Sequence, residues 1–126
     1  MKAKNIGDYG EKIAKKLLKK KGYKILASNQ HESHNELDLI ACDANYIVFV
    51  EVKTRSTDET LYSRFGTPAS AVDFQKRKRL IAAAKDYLSR NNQRNKQPRF
   101  DVIEVYLMKD TFQVIRINHI ENAFTK

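Results

Sequence analysis

The sequence predicts an α/β fold in which helices flank a central mixed β-sheet. Three observations support this: an apolar stripe at helical spacing near the N-terminus, two apolar segments of strand length joined by turn-forming residues, and a second helical stripe after a polar stretch. Strands grouped in sequence with a helix on either side are typical of a sheet covered on both faces. Because the 126 residues contain no Gly/Ser-rich linker, we expect one domain spanning residues 1–126.

The first half of the chain predicts one helix followed by three strands. Residues 8–21 carry apolar side chains every three or four positions, with lysines opposite them, and Gly22 is expected to end this helix. Residues 23–27 predict a short strand. Residues 37–42 and 46–52 are rich in apolar and β-branched residues, and the intervening tripeptide Asp-Ala-Asn predicts a hairpin turn.

The second half predicts a helix, a hairpin and a short terminal helix. Residues 54–67 are polar and patternless, which indicates a loop, and Pro68 is placed to begin a helix that continues to about Ser89. Residues 100–107 and 112–117 predict a second hairpin. Asn118 followed by Glu121 resembles a capping box, which predicts a terminal helix. The expected order is therefore αβββαββα.

Composition favours a cytoplasmic protein without a membrane segment. No apolar run approaches the roughly 18–20 residues that cross a bilayer, and the charged N-terminal stretch is unlike a signal peptide. Cys42 is the single cysteine, so an internal disulfide is excluded.

The charge points to a polyanionic partner. Twenty-four Lys and Arg residues against 15 Asp and Glu give a formal net charge of +9, and nucleic acid is the commonest large cytoplasmic polyanion. A basic surface that binds nothing specific is the alternative. Residues 31–52 contain five acids and no Lys or Arg, between two strongly basic segments. Such a layout suits an enzyme that holds a phosphate backbone with cations and a metal with carboxylates.

Charged residues at alternating positions of the two apolar strands predict the site itself. A two-residue turn at Ala44 and Asn45 would place Asp38 opposite Glu51, with Cβ atoms about 4.5–5.5 Å apart, and Glu36 opposite Lys53. Two carboxylates this close favour a shared cation, and oxygen ligands suit Mg²⁺ or Mn²⁺. The Val52 carbonyl is a further ligand candidate, and Lys53 could orient the attacking water or offset developing charge. A surface ladder of cross-strand ion pairs is the alternative interpretation.

The motifs GDYGEKIAKKLLKKKGYKIL, NELDLIA, VFVEVKTR, FGTPASAV, K-x-x-RL and RFDVIEV together resemble the YraN-like family of small bacterial predicted endonucleases. That family is placed in the PD-(D/E)xK nuclease superfamily with restriction enzymes and Holliday-junction resolvases. The resemblance implies a restriction-endonuclease-like αβββαβ core. Asp38, Glu51 and Lys53 match the nuclease motif. Glu11 matches an acid that related nucleases bring to the metal, and Lys76 matches a family lysine able to reach a phosphate. Because resolvase relatives work as dimers, the resemblance leaves a homodimer as one of the oligomeric states to consider.

These observations predict a metal-dependent endonuclease that hydrolyses phosphodiester bonds in DNA, including structured or branched DNA. DNA is favoured over RNA, which remains an alternative substrate. A second alternative is a non-catalytic nucleic-acid-binding module of the same fold. The cofactor expected is Mg²⁺ or Mn²⁺. The predicted catalytic residues are Asp38, Glu51, Lys53 and Glu36. The predicted metal ligands are Asp38, Glu51, Val52 and Glu11. The predicted nucleic-acid contacts are Lys76, Arg55 and Arg79.

Overall fold

In the described parts of the chain, which are residues 5–32, 35–57, 73–91 and 95–124 of a computed structural model, seven elements follow the order αβββαββ. No helix in these ranges is both long and apolar enough to cross a membrane. The elements are α1 (Ile6–Lys20), β1 (Lys24–Glu32), β2 (Asn35–Cys42), β3 (Tyr46–Thr57), α2 (Phe74–Asn91), β4 (Gln97–Met108) and β5 (Val114–Phe124).

The strands form one sheet in the order β1-β2-β3-β4-β5. Neighbouring strands are antiparallel except β3 and β4, which run parallel and are connected through α2. The sheet is therefore mixed, with β3 as its third and central strand.

The two helices pack on opposite faces of this sheet. Along β2 and β3, alternate side chains enter two separate apolar clusters, as the period of two in a strand requires. Leu39 and Val50 pack with α1, whereas Ile40 and Phe49 pack with α2. The predicted central mixed sheet flanked by helices is confirmed.

α1 begins and ends at recognisable caps. The Asn5 side chain accepts a hydrogen bond from the Asp8 N–H at 2.9 Å, so the helix starts two residues before the predicted position. At the other end, Gly22 has φ 99°. The N–H groups of Gly22 and Tyr23 donate to the carbonyls of Lys19 and Leu18 at 3.0 and 2.9 Å, which is the Schellman pattern. The prediction that Gly22 ends the helix is confirmed.

The hairpin of β2 and β3 has the predicted register. The Asp43 N–H donates to the Tyr46 carbonyl at 3.0 Å, so Ala44 and Asn45 form the two-residue turn. The paired residues run from Cys42 opposite Ile47 to Leu39 opposite Val50. The next residues in this register are Asp38 and Glu51. The turn therefore sets which residues meet at the open end of the hairpin.

β3 is longer than predicted, and α2 is capped by an aspartate. Residues 54–57 were expected to be loop, but they continue the strand because β4 pairs with β3 as far as Thr57 opposite Met108. The Asp73 side chain accepts from the Lys76 N–H at 2.8 Å, which caps α2 immediately before Phe74. The predicted loop over residues 58–67 and helix start at Pro68 lie outside the described residues.

The predicted terminal helix is wrong. Residues 118–124 instead continue β5, with Ile120 paired to Val102 and Phe124 to Phe100. Long-range strand pairing is favoured over the local capping box, because the backbone hydrogen bonds to β4 and the burial of Phe124 are gained only in the strand. Near the end of β5, Asn122 adopts φ 53° and its N–H donates to Asp101 Oδ1 at 2.9 Å.

Candidate active site

The candidate site lies where backbone pairing between β2 and β3 stops. Beyond the Leu39–Val50 pair, the Val52 N–H donates to Asp38 Oδ2 at 2.9 Å. The Asp38 carboxylate thus accepts the hydrogen bond that a backbone carbonyl of β2 would accept in a regular strand pair. In a strand, the N–H and C=O of one residue point to the same side, so the Val52 carbonyl is directed toward the same gap.

Asp38 and Glu51 share the face of the sheet that α2 covers, as predicted. Each lies two residues from an apolar side chain packed with α2, Ile40 in β2 and Phe49 in β3. Each carboxyl group shifts the pKa of the other, and Glu51 is only 5% exposed. Folding therefore gathers these two acids, which are 13 positions apart, in one partly buried place.

The two carboxyl groups titrate differently. Burial, and then the hydrogen bond and charge of Glu51, raise the pKa of Asp38 to about 8, against the lowering effect of the Val52 N–H. Burial also acts to raise the pKa of Glu51, but the hydrogen bonds from Asp38 and Lys76 and the Lys76 and Lys53 charges bring it below its ordinary value. One proton between two carboxyl groups is the behaviour expected where no divalent cation separates them.

Lys76 places a positive charge in contact with this pair. Its Nζ lies 2.6 Å from Glu51 Oε2. Burial acts to lower the pKa of Lys76, but the hydrogen bond and charge of Glu51 outweigh it and raise the pKa above its usual value. The predicted phosphate-binding lysine is thus held against a predicted metal ligand.

A cleft of about 260 Å³ opens beside the acid pair, so the carboxyl groups can be approached from solvent. Glu36 and Arg79, both predicted site residues, contribute to its wall. The residues that line it are Asn35, Glu36, Asp38, Glu51, Lys76, Arg79 and Leu80.

The expected pairing of Glu36 with Lys53 is wrong. Backbone pairing of the hairpin ends before these positions, and Glu36 instead faces His31 of β1. The His31 Nε2 and Glu36 Oε2 atoms are 3.3 Å apart, and both side chains are largely exposed. Lys53 lies two residues after Glu51 on the same side of β3, close enough for its charge to lower the pKa of Glu51.

Glu11 approaches the site from the other face of the sheet. Burial raises its pKa above the ordinary value, against the lowering effect of the neighbouring Asn29 side chain. The Glu11 charge helps to raise the pKa of Asp38, but Glu11 does not line the cleft. Within the described ranges, no group of three or more His, Cys, Asp or Glu residues is positioned to hold a metal. The groups that could hold a metal here are two carboxylates and a backbone carbonyl, a set that would suit Mg²⁺, an ion that commonly keeps several waters.

Arg55 is bound within the sheet. Its Nε lies 3.0 Å from Oε2 of Glu104, a fully buried residue of β4, and the Tyr106 hydroxyl donates to the same carboxylate. Sequence reasoning missed Glu104. An acid inside the apolar run 102–107 is the same signal that identified Asp38 and Glu51.

A second buried charge cluster surrounds Asp101 on the α1 face. Asp101 accepts two bonds from Arg99, at 2.8 and 2.9 Å, and lies 2.7 Å from Nε2 of His119. A larger cleft of about 600 Å³ lies nearby at the start of β3 and β4. Its wall includes one carboxylate, Glu121, and no pair comparable to Asp38 and Glu51.

Comparison with known proteins identifies relatives along almost the whole chain. A UPF0102 protein of Caldanaerobacter subterraneus subsp. tengcongensis is 48% identical over 121 residues, which cover 96% of this chain and 95% of the relative. A UPF0102 protein of Clostridioides difficile is 47% identical over 124 residues, covering 98% of this chain and 100% of the relative.

Among solved structures, SfsA of Pyrococcus furiosus in complex with Ca²⁺ aligns with 91% of this chain at 15% identity. The TM-score is 0.35, and the alignment spans 61% of SfsA. A likeness of this size supports no inference about fold or function.

The family model described as uncharacterised protein family UPF0102 matches residues 10–105. This range includes both strands of the hairpin, α2 and most of β4, and therefore the whole acid pair with Lys53 and Lys76. The chain belongs to the UPF0102 family, the YraN-like family that its motifs resemble.

Proposed function

We propose that this protein is a metal-dependent endonuclease that hydrolyses phosphodiester bonds in DNA. The observation that carries the proposal is the convergence of Asp38 and Glu51 at the open end of the β2–β3 hairpin, with Lys53 on the same side of β3. Buried carboxyl groups that repel each other are costly in a fold, and a divalent cation between them would relieve this cost.

The arrangement of elements supports a restriction-endonuclease-like core within the PD-(D/E)xK superfamily. Asp38 and the Glu51-Val52-Lys53 segment supply the D and ExK positions of the motif on neighbouring strands. A helix precedes the three antiparallel strands, and α2 leads to a fourth strand parallel to β3.

The chain offers ligands for Mg²⁺ or Mn²⁺ in Asp38, Glu51 and the Val52 carbonyl. When bound, such an ion supplies Lewis acidity toward a phosphoryl oxygen and makes water a better nucleophile. Lys53 is placed to orient that water or to stabilise the extra negative charge on phosphorus. Water attacks phosphorus, the bond from phosphorus to the leaving sugar oxygen breaks, and that oxygen takes up a proton.

Charge supports a nucleic-acid substrate. The formal net charge is +9, and Lys76 and Arg79 line the cleft beside the acids. Glu36 lies at the outer wall of the cleft, where it could interact with water or metal-bound ligands. Arg55, in contrast, is neutralised in part by Glu104, so its contribution to nucleic-acid binding is proposed to be smaller than that of Arg79.

The test is cleavage of single-stranded, duplex and branched DNA with Mg²⁺ and with Mn²⁺, alongside matched RNA. We expect at least one DNA form to be cut by the wild type. Asp38→Asn and Lys53→Ala should abolish cutting while binding persists. Asp110→Asn and Lys85→Ala serve as matched controls, since both residues are exposed and lie outside the site. Intact DNA across the whole panel would contradict the proposal, and RNA cleavage alone would reassign the substrate.

A non-catalytic nucleic-acid-binding module is the alternative, and one observation favours it. The Lys76–Glu51 ion pair already compensates one acid without any metal, as a purely structural pair would. In that case binding should fall steeply with salt concentration, be unchanged by Asp38→Asn, and occur without cleavage under every metal condition.

A further inference from the structure

Lys76 occupies a position in α2 that is normally apolar. Leu80, Ala83 and Tyr87 follow it at intervals of four, seven and eleven residues, and all three are buried against the sheet. Residues at this spacing share one helix face. Lys76 is therefore the first member of the buried stripe, and its side chain is directed to the sheet rather than to solvent.

The Lys76 ammonium meets the more buried acid of the pair. Its Nζ is 2.6 Å from Glu51 Oε2, while the Lys76 side chain is 38% exposed and that of Glu51 5%. Glu51 is thus enclosed, whereas Lys76 reaches it from the edge of the cleft. A lysine on a flexible four-carbon stem can leave this contact by rotation into the open cleft without disturbing the sheet.

A metal ion and the Lys76 ammonium would compete for the same carboxylate. Two cations in contact with one carboxylate group repel each other strongly where water is scarce. Arrival of a divalent ion therefore favours withdrawal of Lys76 from Glu51. The displaced ammonium would then lie in a cleft already bordered by Arg79, where a phosphate group is the natural partner for it.

We propose that Lys76 is a tethered counter-ion that competes with divalent metal for Glu51 and is released toward a nucleic-acid phosphate when metal binds. This inference rests on the proposed function and adds a regulatory property to the same site. Because coupling between two ligands is reciprocal, metal should strengthen nucleic-acid binding, and nucleic acid should strengthen metal binding. The site would hold its metal weakly until substrate arrives.

The first test measures Mn²⁺ affinity in the absence of nucleic acid, by the loss of the free Mn²⁺ paramagnetic resonance signal. We expect Lys76→Gln to bind Mn²⁺ roughly tenfold more tightly than the wild type, within the usual range of coupling. Arg79→Gln is the matched control because it removes the same charge from the same cleft without breaking the Glu51 ion pair. Lys76→Gln binding no tighter than Arg79→Gln would overturn the inference.

The second test measures the affinity of a fluorescent DNA duplex by anisotropy, in EDTA and in Ca²⁺, at matched ionic strength. Ca²⁺ should tighten duplex binding to the wild type and to Arg79→Gln but not to Lys76→Gln. If Lys76→Gln folds poorly, Lys76→Arg is used in its place. Because this variant keeps the positive charge, Ca²⁺ should still tighten its binding to the duplex.

Both tests measure affinity rather than cleavage. If the wild type cleaves no DNA but shows the expected Mn²⁺ and Ca²⁺ responses, the proposed function is contradicted and the counter-ion role of Lys76 is not. Equal Ca²⁺ dependence in all variants would overturn the counter-ion role.

Discussion

Asp38 Oδ2 accepts a hydrogen bond from the Val52 N–H at 2.9 Å, so one candidate metal ligand is fixed by the strand that carries the other. The contact joins β2 to β3 just beyond their last backbone pair, Leu39 with Val50. Asp38 is consequently held in position by protein atoms before any metal binds. Its substitution should therefore affect stability as well as chemistry, and the two effects can be separated.

The first prediction concerns this hydrogen bond. In EDTA near pH 4, where Asp38 is partly protonated in the unfolded chain as well, Asp38→Ala should lower the free energy of unfolding by about 1–3 kcal/mol, because it leaves the Val52 N–H without its acceptor. Asp38→Asn keeps an acceptor oxygen and should remain close to the wild type. Urea denaturation followed by circular dichroism measures both. An equal loss in the two variants would show that the bond to Val52 does not stabilise the fold.

The second prediction concerns pH. The pKa of Asp38 is raised to about 8 by burial and by Glu51, against about 3.9 in an unfolded chain. Between these values the folded protein retains a proton that the unfolded chain has released, so the free energy of unfolding falls as pH rises. In EDTA, the free energy of unfolding of Asp38→Asn should increase relative to that of the wild type as pH rises from about 4 to about 8. Above about pH 8 the difference should stay constant. A difference that is constant with pH would contradict the raised pKa.

The third prediction concerns the contact between α1 and β3. A Cβ added at Gly10 would lie 1.9 Å from Thr54 Oγ1 and 2.9 Å from the Thr54 Cβ. Gly10→Ala should therefore destabilise the protein by about 1–3 kcal/mol, although alanine favours helices. Gly7→Ala is the matched control in the same helix, because among the described residues its added Cβ would meet only Asn5 Oδ1, at 3.3 Å.

The double variant Gly10→Ala/Thr54→Ala should recover part of this loss, since it removes the closest of the clashing atoms. Thermal denaturation of the two single variants and the double variant gives the coupling between the positions. Additive losses would show that Gly10 is required for some reason other than the approach of Thr54.

The fourth prediction contrasts two acids beside Arg99. Asp101 is fully buried and bonded to Arg99 twice, whereas Glu121 is exposed, with an oxygen 3.9 Å from the same guanidinium. Asp101→Ala should cost about 3–5 kcal/mol because it leaves a buried cation uncompensated, whereas Glu121→Ala should cost less than about 1 kcal/mol. Denaturant unfolding provides the comparison, and similar losses would contradict the assignment of Asp101 as the main partner.

Local patterns were sufficient to predict the order of the elements in the first half of the fold. Gly22 and the two-residue turn at Ala44 and Asn45 determine their structures through backbone geometry over a few residues, so the helix end and the hairpin register were both predictable. The same approach failed at Asn118, where a local capping pattern competes with pairing to a strand more than ten residues away. It also placed the end of β3 too early, because polar residues 54–57 become strand only through β4.

The acid pair was predictable for the same reason, since hairpin register alone brings Asp38 and Glu51 together. The ion pair between Glu51 and Lys76 was not, because it depends on where α2 crosses the sheet. The sequence signal for Lys76 was its position at the start of an apolar helical stripe. That position predicts a side chain directed toward the sheet, but it does not predict that Glu51 is the partner. Glu104 could have been found by asking which acids interrupt apolar strands.

The central position of β3 has a consequence for the motions of the site. Up to Val50 the strand has a partner strand on each side, and from Glu51 to Thr57 it stays paired to β4, so its amides should be among the slowest to exchange hydrogen with solvent. Glu51 and Lys53 would then stay in register through fluctuations that fray the outer strands. The temperature at which their geometry is lost should be the melting temperature of the whole fold.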